Sequence, residues 1–184
     1  FSGSVSPIHH HNTSTRENEV DIWPLLERSR EHFSAQWGAW LDRGRYDVSA
    51  HWRSVVHAPL GYAVGSRQMM EQLHDRDVRV SYENAYGHTD APTGHPLVDD
   101  LMKRTPLDGA VNVSYCQADH FPRRGKGYQV GYSMLEVTGL PKEWAAGANR
   151  MDEVWVPASF NVETFRASGV TVPIHVMPLG VDPV

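Results

Sequence analysis

The chain has a single cysteine, Cys116, so it holds no internal disulfide. That fits a reducing compartment, and the expected location is cytoplasmic. No stretch approaches the roughly 18 consecutive apolar residues of a membrane-spanning helix, so no transmembrane segment is expected. Positive charge is short: 17 basic residues stand against 22 acidic ones, a net charge of −5. A nucleic-acid partner needs a basic footprint, and this balance argues against one. The opening, Phe1-Ser2-Gly3-Ser4-Val5, lacks the basic region and apolar core of a signal peptide. It also lacks a Met, as a processed, trimmed or incomplete chain would. Neither G-x-G-x-x-G nor Gly-Lys-Ser/Thr is present, so dinucleotide and Walker-type ATP binding lose their usual phosphate motifs.

What remains is an ordinary globular composition, 40% hydrophobic and 21% charged in 184 residues, enough for one domain with a sizeable core. Residues 1–18, rich in Ser, Thr, His and Asn, read as a loose arm. His9, His10 and His11 could hold a metal, but three adjacent histidines cannot all face one ion without a supporting shell. Residues 19–50 read as a helical extension. Asp21 can cap a helix over 21–43, and Pro24 is tolerated in its first turn. Leu26, Phe33, Trp37, Trp40 and Leu41 give that helix one apolar face. It either packs on its own domain or docks on another chain or a membrane surface.

Residues 51–184 alternate short apolar runs with capped helical segments, the pattern of a doubly wound, mostly parallel α/β domain. Strands are expected over 54–59, 78–82, 110–116, 128–135, 153–157 and 174–177. A glycine turn, Gly61 to Gly65, opens a helix through Leu73 and can place backbone N–H groups against a phosphate. Ligands of open parallel sheets bind beyond the strands' carboxyl ends, where Asp119, His120 and Glu136 fall. Arg123, Arg124 and Lys126 are either a solvated turn or a contact to an anion. Cys116 reads as a small core residue. Near the end, Val154–Val156 is an apolar strand stopped by Pro157. Ser159 can cap the next helix, Gly169 ends it, and Ile174–Met177 follows as a strand.

The letters of that last segment carry more than a generic strand–helix–strand unit. Asp152-Glu153-Val154-Trp155-Val156-Pro157, Ser159, Phe160-Asn161, Gly169-Val170, Pro173-Ile174, Val176, Pro178 and Gly180-Val181-Asp182 resemble retaining nucleotide-sugar glycosyltransferases of family four, at the end of their N-terminal domain. Gly131-Tyr132…Glu136 and Pro141…Trp144 resemble the same family's upstream element. The likeness is in the letters over 130–183 and in the order of elements over 50–130.

The resemblance implies the Rossmann-like, acceptor-side half of a GT-B fold, ending at the interdomain linker. It implies transfer of a sugar from a nucleotide sugar to an acceptor hydroxyl of a sugar, lipid or protein, with retention. The implied route is front-face attack in which the leaving phosphate helps take the acceptor proton. His120 and Glu136 would be catalytic. Gly61, Tyr62 and Gly65 would form the loop beside the donor diphosphate and acceptor, and Asp119, Thr138 and Arg123 would bind acceptor. No metal or other cofactor is expected. Asp99-Asp100 lacks the D-x-D spacing of metal-dependent sugar transferases, and neighbouring helix residues diverge by about 100°. The E-x7-E element of the donor-binding second domain is not found before Val184, so that domain is an expected partner, in cis or as a separate chain. Alone, this chain is expected not to turn over nucleotide sugars. The alternatives are a non-catalytic binding or regulatory module on the same fold, or an unrelated nucleotide-binding α/β protein.

Overall fold

A computed structural model describes residues 21, 23–57, 59–87, 91–122 and 127–180. The N-terminal arm with its three histidines, the basic turn with Arg123, Arg124 and Lys126, and Val181-Asp182 lie outside the described residues. The chain divides between Leu41 and Asp42.

Helix α1 spans Trp23–Arg45. The Asp21 carboxylate accepts the Trp23 N–H at 3.1 Å, as expected of a capping residue. Along this helix Trp23, Leu26, Phe33, Trp37, Trp40 and Leu41 are exposed. Trp37 and Trp40 meet edge to face at 6.4 Å.

From Val48 onward, among the described residues, six strands alternate with helices. They are β1 (Val48–Ser54), α2 (Gly61–His74), β2 (Val78–Asn84), α3 (Pro96–Leu101), β3 (Val111–Tyr115), β4 (Gln129–Tyr132), α4 (Lys142–Ala148), β5 (Glu153–Val156), α5 (Ser159–Ala167) and β6 (Ile174–Val176). A 3-10 turn, Ala118–His120, follows β3. The strands form one sheet in the order β2-β1-β3-β4-β5-β6, and every pairing is parallel. This is an α/β, Rossmann-like arrangement.

The first strand corrects the expectation of 54–59. It starts at Val48, inside the expected helical extension, because β1 is not a continuous apolar run. V-S-A-H-W-R-S alternates, so Ala50, Trp52 and Ser54 are buried while His51 and Arg53 face the other way, half-buried. Ala50 and Trp52 lie level with Val80 and Tyr82 of β2. Trp52 is also level with Val113 of β3. They build the core under α2 and α3 with Met70, Val98 and Leu101. Val154 and Val156 face the opposite side, packing with Phe121, Trp144, Ala145 and Phe165 under α4 and α5.

The end of α5 follows its sequence signals, but its start does not. Ala158, not Ser159, occupies the N-cap, and no side chain caps the helix. At the other end Gly169 takes φ 91°, with its N–H on the Arg166 carbonyl and the Val170 N–H on the Phe165 carbonyl. This pair of bonds closes the helix and requires the left-handed conformation that glycine supplies. The two adjacent acids of α3 do separate jobs. Asp99 accepts the Thr93 N–H at 2.6 Å and the Thr93 hydroxyl at 2.7 Å, which holds its carboxyl below the usual range. Asp100 pairs with Arg104 at 3.6 Å.

Candidate active site at the switch point

The chain leaves β1 towards β2 on one side and reaches β4 on the other from β3. β1 and β3 are neighbours, so a crevice opens between their carboxyl ends, the place where open α/β sheets bind ligands. Its rim is made by the N-terminus of α2, the segment after β2, the 3-10 turn after β3 and the loop after β4.

At the start of α2 the cap residue Leu60 offers no side-chain bond. Ala63 and Val64 both donate to the Leu60 carbonyl. The N–H groups of Gly61 and Tyr62 precede the first intrahelical donor and have no acceptor within the helix. A Cβ on Gly61 would meet nothing within 4 Å. Gly65 is different. It lies one turn inside α2, where a Cβ would come within 2.8 Å of the Tyr115 hydroxyl. Its hydrogen is what lets the helix approach β3. Gly61→Ala should therefore leave stability unchanged or raise it by up to about 1 kcal/mol. Gly65→Ala should lower it by about 1–3 kcal/mol. Urea denaturation midpoints compare the two directly.

Tyr62 crosses from α2 to the loop after β4. Its hydroxyl accepts the Met134 N–H at 3.2 Å and lies 3.4 Å from the Ser133 hydroxyl. Its ring packs on Tyr115 at 4.8 Å between centroids. Burial pushes its hydroxyl pKa up, and the charge of Glu136 adds a smaller push in the same direction.

Glu136 does not end a strand, as expected from a strand over 128–135. β4 stops at Tyr132, and Glu136 is exposed four residues later in a loop. That loop is pinned by α5. Asn161 Nδ2 donates to the Leu135 carbonyl at 2.9 Å, and Thr164 Oγ1 to the Val137 carbonyl at 3.2 Å. The Leu140 N–H donates to Ser168 Oγ at 2.8 Å. Asn161 and Thr164 are each only 4% exposed. The Tyr132 hydroxyl donates across the sheet to the Met177 carbonyl at 2.6 Å. Thr138 is exposed in the same loop.

His120 closes the 3-10 turn. Its ring meets Tyr86 edge to face at 4.8 Å, and Nε2 lies 3.9 Å from Asp119 Oδ2. Two glycines hold this turn close. A Cβ on Gly147 of α4 would fall 1.8 Å from the Ala118 carbonyl oxygen, and one on Gly131 would fall 2.3 Å from the Phe121 ring. The structure thus brings Asp119 to His120, and Tyr62 to the loop that leads to Glu136. Gly65 lies in the helix interior and Arg123 outside the described residues.

The residue that sequence reasoning missed is Arg53. Its side chain is only 11% exposed. Nη1 donates to the His120 carbonyl at 2.7 Å and Nη2 to the Ala85 carbonyl at 2.8 Å. Nε faces Glu83 Oε1 at 3.4 Å. One guanidinium therefore ties the ends of β1 and β2 to the turn after β3. The signal is the H-x-R alternation of residues 51–53, which a strand over 54–59 leaves out. A cavity of about 1130 Å³ opens beside Arg53, bounded also by His51, Glu83, Asp99 and Lys103.

Cys116, at the end of β3, is 1% exposed. Burial pushes its thiol up to about 12, with Arg53 a smaller opposing influence. Between its ordinary value of 9.0 and about 12 the folded state binds more protons than the unfolded one. This thiol therefore makes stability fall as pH rises through that window. At pH 8 a disulfide reagent should label Cys116 only as fast as the protein opens, and immediate stoichiometric labelling would contradict the burial.

No protein-family profile matches the chain, and no solved structure matches it. The chain is 30% identical over 130 residues to the 1-deoxy-D-xylulose 5-phosphate reductoisomerase of Anaeromyxobacter sp. (strain K). It is equally similar to the enzyme of the same name from Anaeromyxobacter dehalogenans. The match takes in 71% of this chain and 31% of each relative. The chain thus spans about a third of the length of the curated relatives it matches.

Proposed function

We propose that this chain forms the acceptor-side half of a retaining nucleotide-sugar glycosyltransferase. The observation that carries the reading is that side chains from each of the two motif segments bond backbone lying within or beside the other. Asn161, from the segment resembling the family, holds the loop that carries Glu136. Tyr132, from the upstream element, bonds the backbone at Met177 in the later one. These bonds tie the two segments that carry the sequence likeness to each other. In this reading the N–H groups of Gly61 and Tyr62 face the donor diphosphate. His120 and Glu136 orient hydroxyls of acceptor or donor, and their contribution is position rather than a covalent bond. The donor's base and ribose are held by a second domain. The nucleotide diphosphate leaves, and its phosphate oxygen helps take the acceptor proton.

In the two-domain protein, Glu136→Ala and His120→Ala should each lower turnover by about 10- to 100-fold. Their melting temperatures should stay close to that of the parent, since both side chains are exposed. Parental turnover in both variants would remove them from the site.

A second reading is favoured by the reductoisomerase relatives, whose name specifies a sugar phosphate as substrate. The same helix N-terminus would then face that phosphate. Conversion of 1-deoxy-D-xylulose 5-phosphate, without sugar transfer, would select it.

A further inference from the structure

We propose that Tyr86 and His120 form a stacking corner for the ring of a neutral sugar, so that the acceptor is a saccharide rather than an anionic or phosphorylated molecule. This rests on the acceptor-side reading of the crevice and names the acceptor's class. Tyr86 is 46% exposed although the backbone beneath it is fixed. Its N–H donates to Asn84 Oδ1 at 3.0 Å, and the Ala85 N–H before it donates to the Ser54 carbonyl at 2.8 Å. The Tyr86 hydroxyl accepts the Gln117 N–H at 3.4 Å. The two rings stand at 75° to each other, and both sit on backbone carbonyls gripped by Arg53. An aromatic ring left in water on so rigid a mount offers a flat apolar face at little ordering cost.

The groups around the corner decide what ring it takes. Asp119 and the exposed Gln117 and His120 supply a carboxylate, an amide and an imidazole. These accept and donate to hydroxyls, while the apolar C–H face of a pyranose lies on the phenol ring. The Asp119 carboxylate repels a phosphate or carboxylate at the same place. The diphosphate is left to the N–H groups of Gly61 and Tyr62.

Saturation-transfer NMR on the 184-residue chain, without donor, tests this. The probes are methyl α-glucoside, methyl α-mannoside, methyl β-galactoside, maltose and glucose 6-phosphate. At least one neutral saccharide should show transfer focused on one ring face, and glucose 6-phosphate should not. Tyr86→Ala should abolish the signal and Tyr86→Phe should keep most of it. Asp119→Asn should let glucose 6-phosphate bind. Circular dichroism and a thermal melt establish that each variant is folded. No transfer to any neutral saccharide, transfer that survives Tyr86→Ala, or preference for glucose 6-phosphate in the parent would each overturn the proposal. Saccharide binding that depends on Tyr86, in a two-domain protein that transfers no sugar, would sustain the corner and sink the glycosyltransferase reading.

Discussion

Replacing Gly147 by alanine is expected to cost at least about 3 kcal/mol, the upper end of what overpacking a core does. The added methyl would stand 1.8 Å from the Ala118 carbonyl oxygen and 2.8 Å from its carbon. Backbone atoms cannot swing aside as the end of a flexible side chain can. Either α4 lifts from the sheet, exposing Trp144 and Ala148, or the 3-10 turn carrying His120 moves. A loss of that size is a large share of the 5–15 kcal/mol that holds typical domains together. For a chain of this length it should lower the melting temperature by about 6–12 °C. Gly139→Ala is the control. Nothing lies within 4 Å of its added methyl, so it should fall within about 0.5 kcal/mol of the parent. Equal melting temperatures for the two variants would refute the close contact between α4 and the turn.

The second large effect is expected at Arg53. Arg53→Met keeps most of the volume but removes the donors to the Ala85 and His120 carbonyls and the charge facing Glu83. Breaking a buried ion pair from one side typically costs about 3–5 kcal/mol. The lower end applies here, because Glu83 is 34% exposed and also lies 3.4 Å from His51 Nε2. Arg53→Lys should recover part of the loss, since an ammonium restores the charge but cannot span two carbonyls and a carboxylate in one plane. Its folded state should still bind saccharide less well than the parent, because the mounts of Tyr86 and His120 are no longer held together. Denaturation curves and the saccharide titration separate the two effects. Full stability and full binding in Arg53→Met would mean that the guanidinium is incidental.

Much of this architecture was legible in the letters, and the failures share a cause. β5 reads as a short apolar run stopped by Pro157, and Val154 and Val156 are indeed buried. β6 reads the same way but forms the edge of the sheet, with His175 and Val176 exposed, and among the described residues no further strand pairs with it. β1 does not read this way, because half its side chains are polar, and two of them, His51 and Arg53, meet Ser81 and Glu83 of β2. The His51 Nδ1 to Ser81 Oγ contact at 3.0 Å joins residues 30 apart, and no window of sequence displays it. The same holds for Arg53, whose partners Ala85 and His120 are backbone carbonyls and leave no trace in residue type. Gly61 and Gly65 looked like one loop, four residues apart. Only the approach of Tyr115 separates a glycine at a helix entry from a glycine needed for packing. The position of a crevice was readable because the connections from neighbouring parallel strands leave to opposite sides wherever the order of strands reverses. The reach of Tyr62 to Met134 depends on the crossing of α2 over the sheet, which periodicity does not fix.

The most direct measurement of the central claim is a transfer assay that reads anomeric configuration. Uridine, guanosine and adenosine diphosphate sugars are offered with a neutral saccharide acceptor, and products are followed by proton NMR. The assay is run on the 184-residue chain and on the chain joined to a donor-binding second domain. Transfer with the donor's anomeric configuration kept, by the two-domain protein and not by this chain alone, is the predicted result. Inverted product, equal turnover by the isolated chain, or conversion of 1-deoxy-D-xylulose 5-phosphate with no sugar transfer would contradict it.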